Sequence, residues 1–337
     1  MTGGPTAGVD IGGTKIRAAV VTADGAVLAS ATAPTPSGGV AMLDVAAGLV
    51  ERATATARVR VAAVGVGAAG VVDPVTGEVL AASDSFVGWA GTDLRSGLAA
   101  RTGLPVTVAN DVDAFLVGEA TWGAVRGVRS AAGIALGTGV GGALWLDGAL
   151  YRGAGAAGEI GHMPGFGDAR CTCGQRGHLE TLASGRSVER RYGEALAAGG
   201  SGGVLLSGVG AREGEGEGAG GGGGAGAGDA VGPRGGSAAA VGAAEIEARA
   251  RAGDADAVRV LADAGRAVGS AVLVLAALLD VGHVVVGGGL AHAWDLLEPA
   301  IRARLDDEPP VSGHPVEVRR AVLGGDATVV GAAALAR

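Results

Sequence analysis

Gly8-Val9-Asp10-Ile11-Gly12-Gly13-Thr14-Lys15-Ile16-Arg17-Ala18-Ala19-Val20-Val21-Thr22-Ala23-Asp24-Gly25 is the stretch whose reading decides the fold. An apolar run from Gly8 to Ile11 stops at two glycines, and a second runs from Lys15 to Thr22. Asp24-Gly25 then gives the signal of a tight hairpin turn into a third strand, Ala26 to Thr32. Met42 to Arg58 has a helical pattern, and the β-branched run Val59 to Val66 reads as a buried strand. The same order returns later. Gly133 to Leu136 ends at Gly137-Thr138-Gly139, a strand follows through Leu146, and Asp147-Gly148 turns into Ala149 to Arg152. Strand, Gly/Thr turn, strand, Asp-Gly turn, strand therefore occurs twice. This weak internal repeat predicts two related α/β lobes facing each other across a cleft.

The rest of the chain fits that frame. Its 337 residues, 48% of them hydrophobic, give room for two domains with sizeable cores. The net charge of −8, with no basic run, speaks against a nucleic-acid surface. Met1 to Gly13 shows no charged leader ahead of an apolar core. The most apolar stretch, Ala267 to Leu279, is too short to span a bilayer and ends at Asp280. A cytoplasmic protein that engages neither nucleic acid nor membrane is expected. Ala243 to Leu279 reads as helix, interrupted near Ala252-Gly253-Asp254. His283 to Val286 is a buried strand leading into Gly287-Gly288-Gly289, and Trp294 to Leu305 and Ala327 to Arg337 are the last helices. Residues 201–241 are dominated by Gly and Ala, cannot bury enough apolar surface to offset chain entropy, and read as a disordered insertion.

Four motifs carry chemistry. In Asp10-Ile11-Gly12-Gly13-Thr14-Lys15, glycines let backbone N–H groups approach phosphate oxygens, and Thr14 adds a hydroxyl. Lys15 adds charge, and Asp10 is placed to hold Mg²⁺ through water. Taken alone, the motif reads equally as a plain glycine hairpin. Gly137 to Gly142, with Thr138 and Gly139 at its turn, repeats the logic in the second copy, so a nucleotide gripped between lobes is the natural reading. Gly287, Gly288 and Gly289 would allow close approach of its adenine or ribose. Lys15 is the only lysine and Asn110 the only asparagine of an Arg-rich chain, and both fall inside motifs. Asn110-Asp111 follows the strand Val106 to Ala109 and precedes a helix from Asp113 to Trp122. Asp111 there reads either as a general base for a sugar hydroxyl or as a helix N-cap. Finally, His162, Cys171, Cys173 and His178, bracketed by Glu159 and Glu180, read either as two imidazoles and two thiolates of a tetrahedral zinc site, the favoured reading, or as a loop with two free cysteines. Four protein ligands leave no open position, so such a zinc ion is structural. His283, His292 and His314 read as structural or surface residues, and Trp89 and Trp122 as packing residues.

Together these motifs resemble the ROK (repressor, open reading frame, kinase) family, which includes bacterial glucokinases. The resemblance rests on Asp10 to Lys15, Gly65 to Pro74, Asn110-Asp111, Gly137 to Gly142, Gly158 to His162, Cys171 to Glu180 and Val286 to Gly289, in one order. It implies an actin-like, ribonuclease-H-like two-domain α/β fold with a cleft between the lobes. Residues 1–109 would form one lobe, completed by 326–337. Residues 110–325 would form the larger one, with the zinc knuckle at 162–178. It implies ATP and Mg²⁺ in the cleft, phosphorylation of a hexose at its 6-hydroxyl, glucose first, and a homodimer or homotetramer. By position, Asp111 resembles the family's catalytic base and Asn110, Glu159, His162 and Glu180 its sugar ligands. Gly12, Gly13, Thr14, Lys15, Thr138, Gly139, Gly287, Gly288 and Gly289 resemble its nucleotide side. Two positions depart from the pattern. His178 stands where the family has a third cysteine, and Ser85 where its sugar loop often has asparagine. A shorter hydroxyl at Ser85 leaves mannose, fructose or an N-acetylated amino sugar as alternative substrates. A catalytically silent sugar sensor is the remaining alternative. The family's repressors carry a DNA-binding helix-turn-helix ahead of the first motif. Asp10 leaves no room for one in this chain, so an enzyme is expected.

Overall fold

A computed structural model describes residues 4–82, 86–199 and 241–337. Ser85 and, but for Val241, the Gly-rich stretch expected to be an insertion lie outside the described residues. The chain opens with β1 (Thr6–Ile11), β2 (Lys15–Val21) and β3 (Val27–Pro34), an antiparallel meander. Then come α1 (Gly39–Ala57), β4 (Val64–Ala68), a short hairpin of β5 (Val71–Val72) and β6 (Val79–Ala81), α2 (Leu94–Thr102) and β7 (Val106–Asn110). The strand order is β3-β2-β1-β4-β7, with β4 parallel to both β1 and β7.

The helix α3 (Asp111–Trp122) leads into the second copy: β8 (Ala131–Leu136), β9 (Val140–Leu146) and β10 (Ala149–Tyr151). After α4 (Glu180–Ala183), α5 (Gly185–Ala197), α6 (Ala243–Arg251) and α7 (Ala255–Leu279) come β11 (His283–Gly287), α8 (Trp294–Asp307), β12 (Glu317–Arg320) and α9 (Ala327–Leu335). The second sheet runs β10-β9-β8-β11-β12, the same arrangement as the first: an antiparallel meander extended by parallel strands. Asp147 and Gly148 both adopt positive φ, 53° and 81°, as a two-residue type I′ turn demands.

Each sheet has its own core. Val9, Ile11, Leu49, Leu98 and Trp89 pack together on the first, and Leu136, Tyr192, Ile246, Val268 and Leu297 on the second. The two are joined by helices that cross at their backbones. A Cβ on Gly331 of α9 would lie 1.8 Å from the carbonyl oxygen of Ala114 in α3. Buried Glu119 locks this junction by accepting hydrogen bonds from the amides of Ala124 (2.7 Å), Val322 (3.1 Å) and Leu323 (2.9 Å).

Several boundaries differ from the expectations. The strand predicted from Val59 starts at Val64, because exposed Arg58 and Arg60 break the apolar face. The helix predicted from Asp113 starts at Asp111. Strand β12 and the helix α2 carry no clear mark in the sequence, and α5, whose start Ser184 caps, was not among the expected elements. The apolar stretch expected from Ala267 belongs to the 25-residue α7, long and apolar enough to cross a membrane by length and composition. Its apolar window is mostly buried inside the protein, as the expected core helix requires.

Candidate active site

Parallel pairing brings the chemistry to one edge of each sheet. Ile11, Ala68 and Asn110 are in register at the C-terminal ends of β1, β4 and β7. Asp10 and Asp111 therefore become neighbours although a hundred residues separate them. Asn110, with extended backbone, is the N-cap of α3: its Oδ1 accepts from the amides of Val112 (2.7 Å) and Asp113 (3.3 Å), and its Nδ2 donates to the carbonyl of Gly70 (2.7 Å). The cap is thus Asn110 and not Asp111, which overturns the N-cap reading of Asp111. Asp111 is the first helical residue, half-buried, with Oδ1 accepting from the Val112 amide at 2.9 Å.

The electrostatics are those of crowded, desolvated carboxylates. Burial pushes Asp111 up to about 7, and the charges of Asp10 and Glu159 add to the rise. Asp10 rises to about 6 through burial, against the pull of Lys15 and Arg17. Asp113, which the sequence reading passed over, rises to about 7 through burial, with Arg152 opposing and Glu159 adding. Much of Glu159's surface remains accessible, yet enclosure by protein raises its carboxyl too, opposed by His162 and reinforced by Glu180. A group held near neutrality at the mouth of a cleft suits proton transfer.

A cleft of about 370 Å³ opens beside this edge, lined by Lys15, Asp111, Val112, Phe115 and Gly287 to Gly289. His292, Arg320, Gly324, Gly325 and Thr328 complete the wall. His292 was expected to be a structural or surface residue; it is exposed, but on the rim of this cleft. Gly288 has φ 88°, and a Cβ there would meet the Leu136 carbonyl oxygen at 2.5 Å, so only glycine lets β11 turn against β8. Arg17 donates to the Gly325 carbonyl (3.1 Å) and pairs with Asp326, fixing the far wall to the first sheet. Gly324-Gly325, just ahead of the last helix, carries the same small-residue mark as the other turns and is the signal that could have revealed this wall.

The two Gly/Thr turns each close with a backbone hydrogen bond, across four residues in the first and three in the second. In the first, the Gly12 amide donates to the Lys15 carbonyl at 3.1 Å, leaving Gly13, Thr14 and Lys15 exposed. In the second, the Gly137 amide donates to the Gly139 carbonyl at 2.9 Å and Thr138 is exposed. Thr138 and Gly139 are not among the residues lining the cleft beside Lys15.

Glu159 precedes and His162 ends a single helical turn after β10. The knuckle loop is pinned by its own backbone, the Cys171 amide donating to the Gln175 carbonyl (2.8 Å) and the Gly177 amide to that of Ala169 (2.9 Å), and the Leu179 amide donates back to the Met163 carbonyl (3.0 Å) beside the turn. His162 Nδ1 lies 3.3 Å from His178 Nδ1 and 3.6 Å from Cys171 Sγ, and Cys173 Sγ lies 3.4 Å from His178 Nδ1. All four ligand atoms fall within 4.8 Å of one another. A tetrahedral ion with bonds of about 2.0 to 2.3 Å has ligands roughly 3.3 to 3.8 Å apart, which these three separations match, and two thiolates with two imidazoles are a donor set that suits zinc. Trp89 is buried, its Nε1 donating to the Ala69 carbonyl (2.9 Å), and Trp122 packs under the Arg337 guanidinium.

Comparisons with known proteins agree with this geometry. The model of the ROK family matches residues 6–337. The chain is 36% identical to a glucokinase of Streptomyces coelicolor, over 99% of this chain and 98% of that one. A ROK family glucokinase from Streptomyces griseus, solved with glucose and AMPPNP, is 32% identical with a TM-score of 0.78, over 99% of both chains. A ROK hexokinase from Thermus thermophilus is 32% identical with a TM-score of 0.74, over 98% of this chain and 97% of that one. The chain belongs to the ROK family and has the two-domain actin-like α/β fold of its sugar kinases.

Proposed function

We propose that the protein phosphorylates glucose at its 6-hydroxyl, with Asp111 as general base. The coarser statement stands on the family and on its glucokinase relatives: the chain is an ATP-dependent hexose kinase. One observation carries the finer reading. Asp111, pushed up to about 7, lines a cleft together with Lys15 and three glycines, and Asp10 lies beside it.

In this reading the Asp111 carboxylate accepts the proton of the attacking hydroxyl as its oxygen bonds to the γ-phosphorus and the bond to the β-phosphate oxygen breaks. Asn110, Glu159, His162 and Glu180 orient the sugar, Ser85 being the further candidate. Gly12, Gly13, Thr14 and Lys15 hold the phosphates from one lobe, and Thr138 and Gly139 from the other. Gly287, Gly288 and Gly289 give the adenosine a close approach. Asp10 would hold Mg²⁺, which neutralises phosphate charge when bound. His162, Cys171, Cys173 and His178 would hold a structural zinc ion. Residues 1–109 with 326–337, and 110–325, are the two lobes of this reading, and closure between them excludes water from the phosphoryl group. A cytoplasmic homodimer or homotetramer completes it, supported by the exposed Val274 and Leu278 on α7.

ADP release with Mg-ATP across a hexose panel, with Asp111→Asn alongside, tests the proposal. Glucose-dependent turnover is expected, reduced about 10²- to 10⁴-fold in the variant with sugar affinity little changed. Near-normal turnover in Asp111→Asn would remove the base assignment. Turnover on another hexose alone would move the substrate. No turnover on any sugar would favour a silent sensor.

A further inference from the structure

Glu180 does more than face a sugar. Its Oε1 accepts a hydrogen bond from Thr172 Oγ1 at 2.7 Å and from Cys171 Sγ at 3.5 Å. Its Oε2 accepts from the backbone amide of Val140 at 3.2 Å. Val140 opens β9, directly after Thr138 and Gly139. A Cβ on Gly139 would stand 2.4 Å from the same Oε2, so the turn lies flush against the carboxylate. One side chain therefore spans from the Cys/His knuckle to the second Gly/Thr turn.

We infer that Thr172 is a positioning residue: its hydroxyl sets the Glu180 carboxylate, and through it the Thr138-Gly139 turn. The inference rests on the kinase reading in taking this turn as a phosphate turn. The geometry of the two donors singles out Thr172: its Oγ1 stands at 2.7 Å, within the ordinary O–H···O range, whereas Cys171 Sγ stands at 3.5 Å and a thiol is a weak donor. Thr172 is itself exposed, and its hydroxyl also lies 4.0 Å from Cys171 Sγ, so metal content is followed beside the kinetics.

The test is Thr172→Val, which keeps the shape and removes the donor, beside Thr172→Ser, which restores it. Both are compared with the unaltered protein for steady-state kinetics, calorimetric titration of AMPPNP and glucose, and metal content. A lost hydrogen bond to a charged acceptor predicts KM for ATP and for sugar about tenfold higher in Thr172→Val, with kcat within about twofold. Metal content stays unchanged, and Thr172→Ser returns both constants to normal. Unchanged KM values in Thr172→Val would overturn the inference and leave the kinase reading standing. Loss of metal in step with loss of affinity would also overturn it, by making Thr172 a part of knuckle folding. If the unaltered protein turns over no hexose, the kinase reading fails and the titration still decides. AMPPNP binding about tenfold weaker in Thr172→Val supports the strut, whereas equal or absent binding overturns it.

Discussion

At the scale of single residues, the site is a set of carboxylates held against their preference. Asp10, Asp111 and Asp113 all rise from an ordinary 3.8, to about 6, 7 and 7, chiefly because burial disfavours their charge. The native state therefore binds more protons than the unfolded chain between about pH 4 and pH 7. Stability from these groups is fully present below their unfolded pKa and is lost as pH rises through 6 to 7. The melting temperature of the ligand-free protein should accordingly fall between pH 5 and pH 8. Asp111→Asn should flatten that fall and melt higher than the unaltered protein at pH 8, the usual exchange between stability and function. A steeper fall in the variant would contradict the assignment. The same elevation sets an acid limb for catalysis: kcat/KM should drop about tenfold per pH unit below 7, as the base fills with its proton. The place of Asp111 just after a strand was readable in the sequence; the elevation of its carboxyl was not, because its burial and the charges of Asp10 and Glu159 come only with tertiary packing.

At the scale of elements, glycine marks where backbones meet. Gly331 in α9 and Gly118 in α3 face each other, and a Cβ on Gly118 would come 2.5 Å from the Ala327 carbonyl oxygen. No flexible side chain can yield there, so Gly331→Ala should cost about 3 kcal/mol or more, or prevent folding. Gly48 of α1 is the counter-case: it is helical, and a Cβ there meets nothing within 4 Å. Gly48→Ala should stabilise by about 0.5 to 1 kcal/mol. Denaturant unfolding of the two variants reads both effects, and equal outcomes would refute the backbone-contact argument. The unmarked elements have related explanations. In the short α2, Gly97 reads as a loop residue, yet it makes room for Leu43 of α1, whose Cδ1 would lie 2.6 Å from a Cβ. In β12 the run Glu317–Arg320 is too polar to signal a strand, and only pairing with β11 makes it one.

At the scale of the whole molecule, the knuckle ties the turn after β10 to α4, on which Glu180 sits. Two of its four ligand atoms belong to buried residues, Cys171 and His178, so an ion bound there links these segments from inside. Protein purified without chelator should carry about one zinc per chain, and removal of the ion should lower the melting temperature. Metal analysis showing far less than one equivalent, or a melting temperature indifferent to chelation, would count against a structural zinc.

What the sequence determined by itself was local and repeated. The two strand–turn–strand copies, the I′ turn at Asp147-Gly148, the break between α6 and α7, and the clustering of His162, Cys171, Cys173 and His178 all depend on residues close together in the chain. Their signals are turn chemistry and periodicity, which act at short range. What only the tertiary structure decided was long-range. Parallel pairing of β1, β4 and β7 set Asp10 beside Asp111, and parallel pairing of β8, β11 and β12 brought Arg320 to the cleft wall. Parallel partners lie a whole crossover apart in the chain and share no turn to announce them. Asn110 took the cap and Asp111 became the first helical residue at the edge of the cleft, with Asn110 held by the Gly70 carbonyl 40 positions earlier in the chain. Burial, and with it the proton affinity of the carboxylates, exists only once the tertiary structure has formed around them.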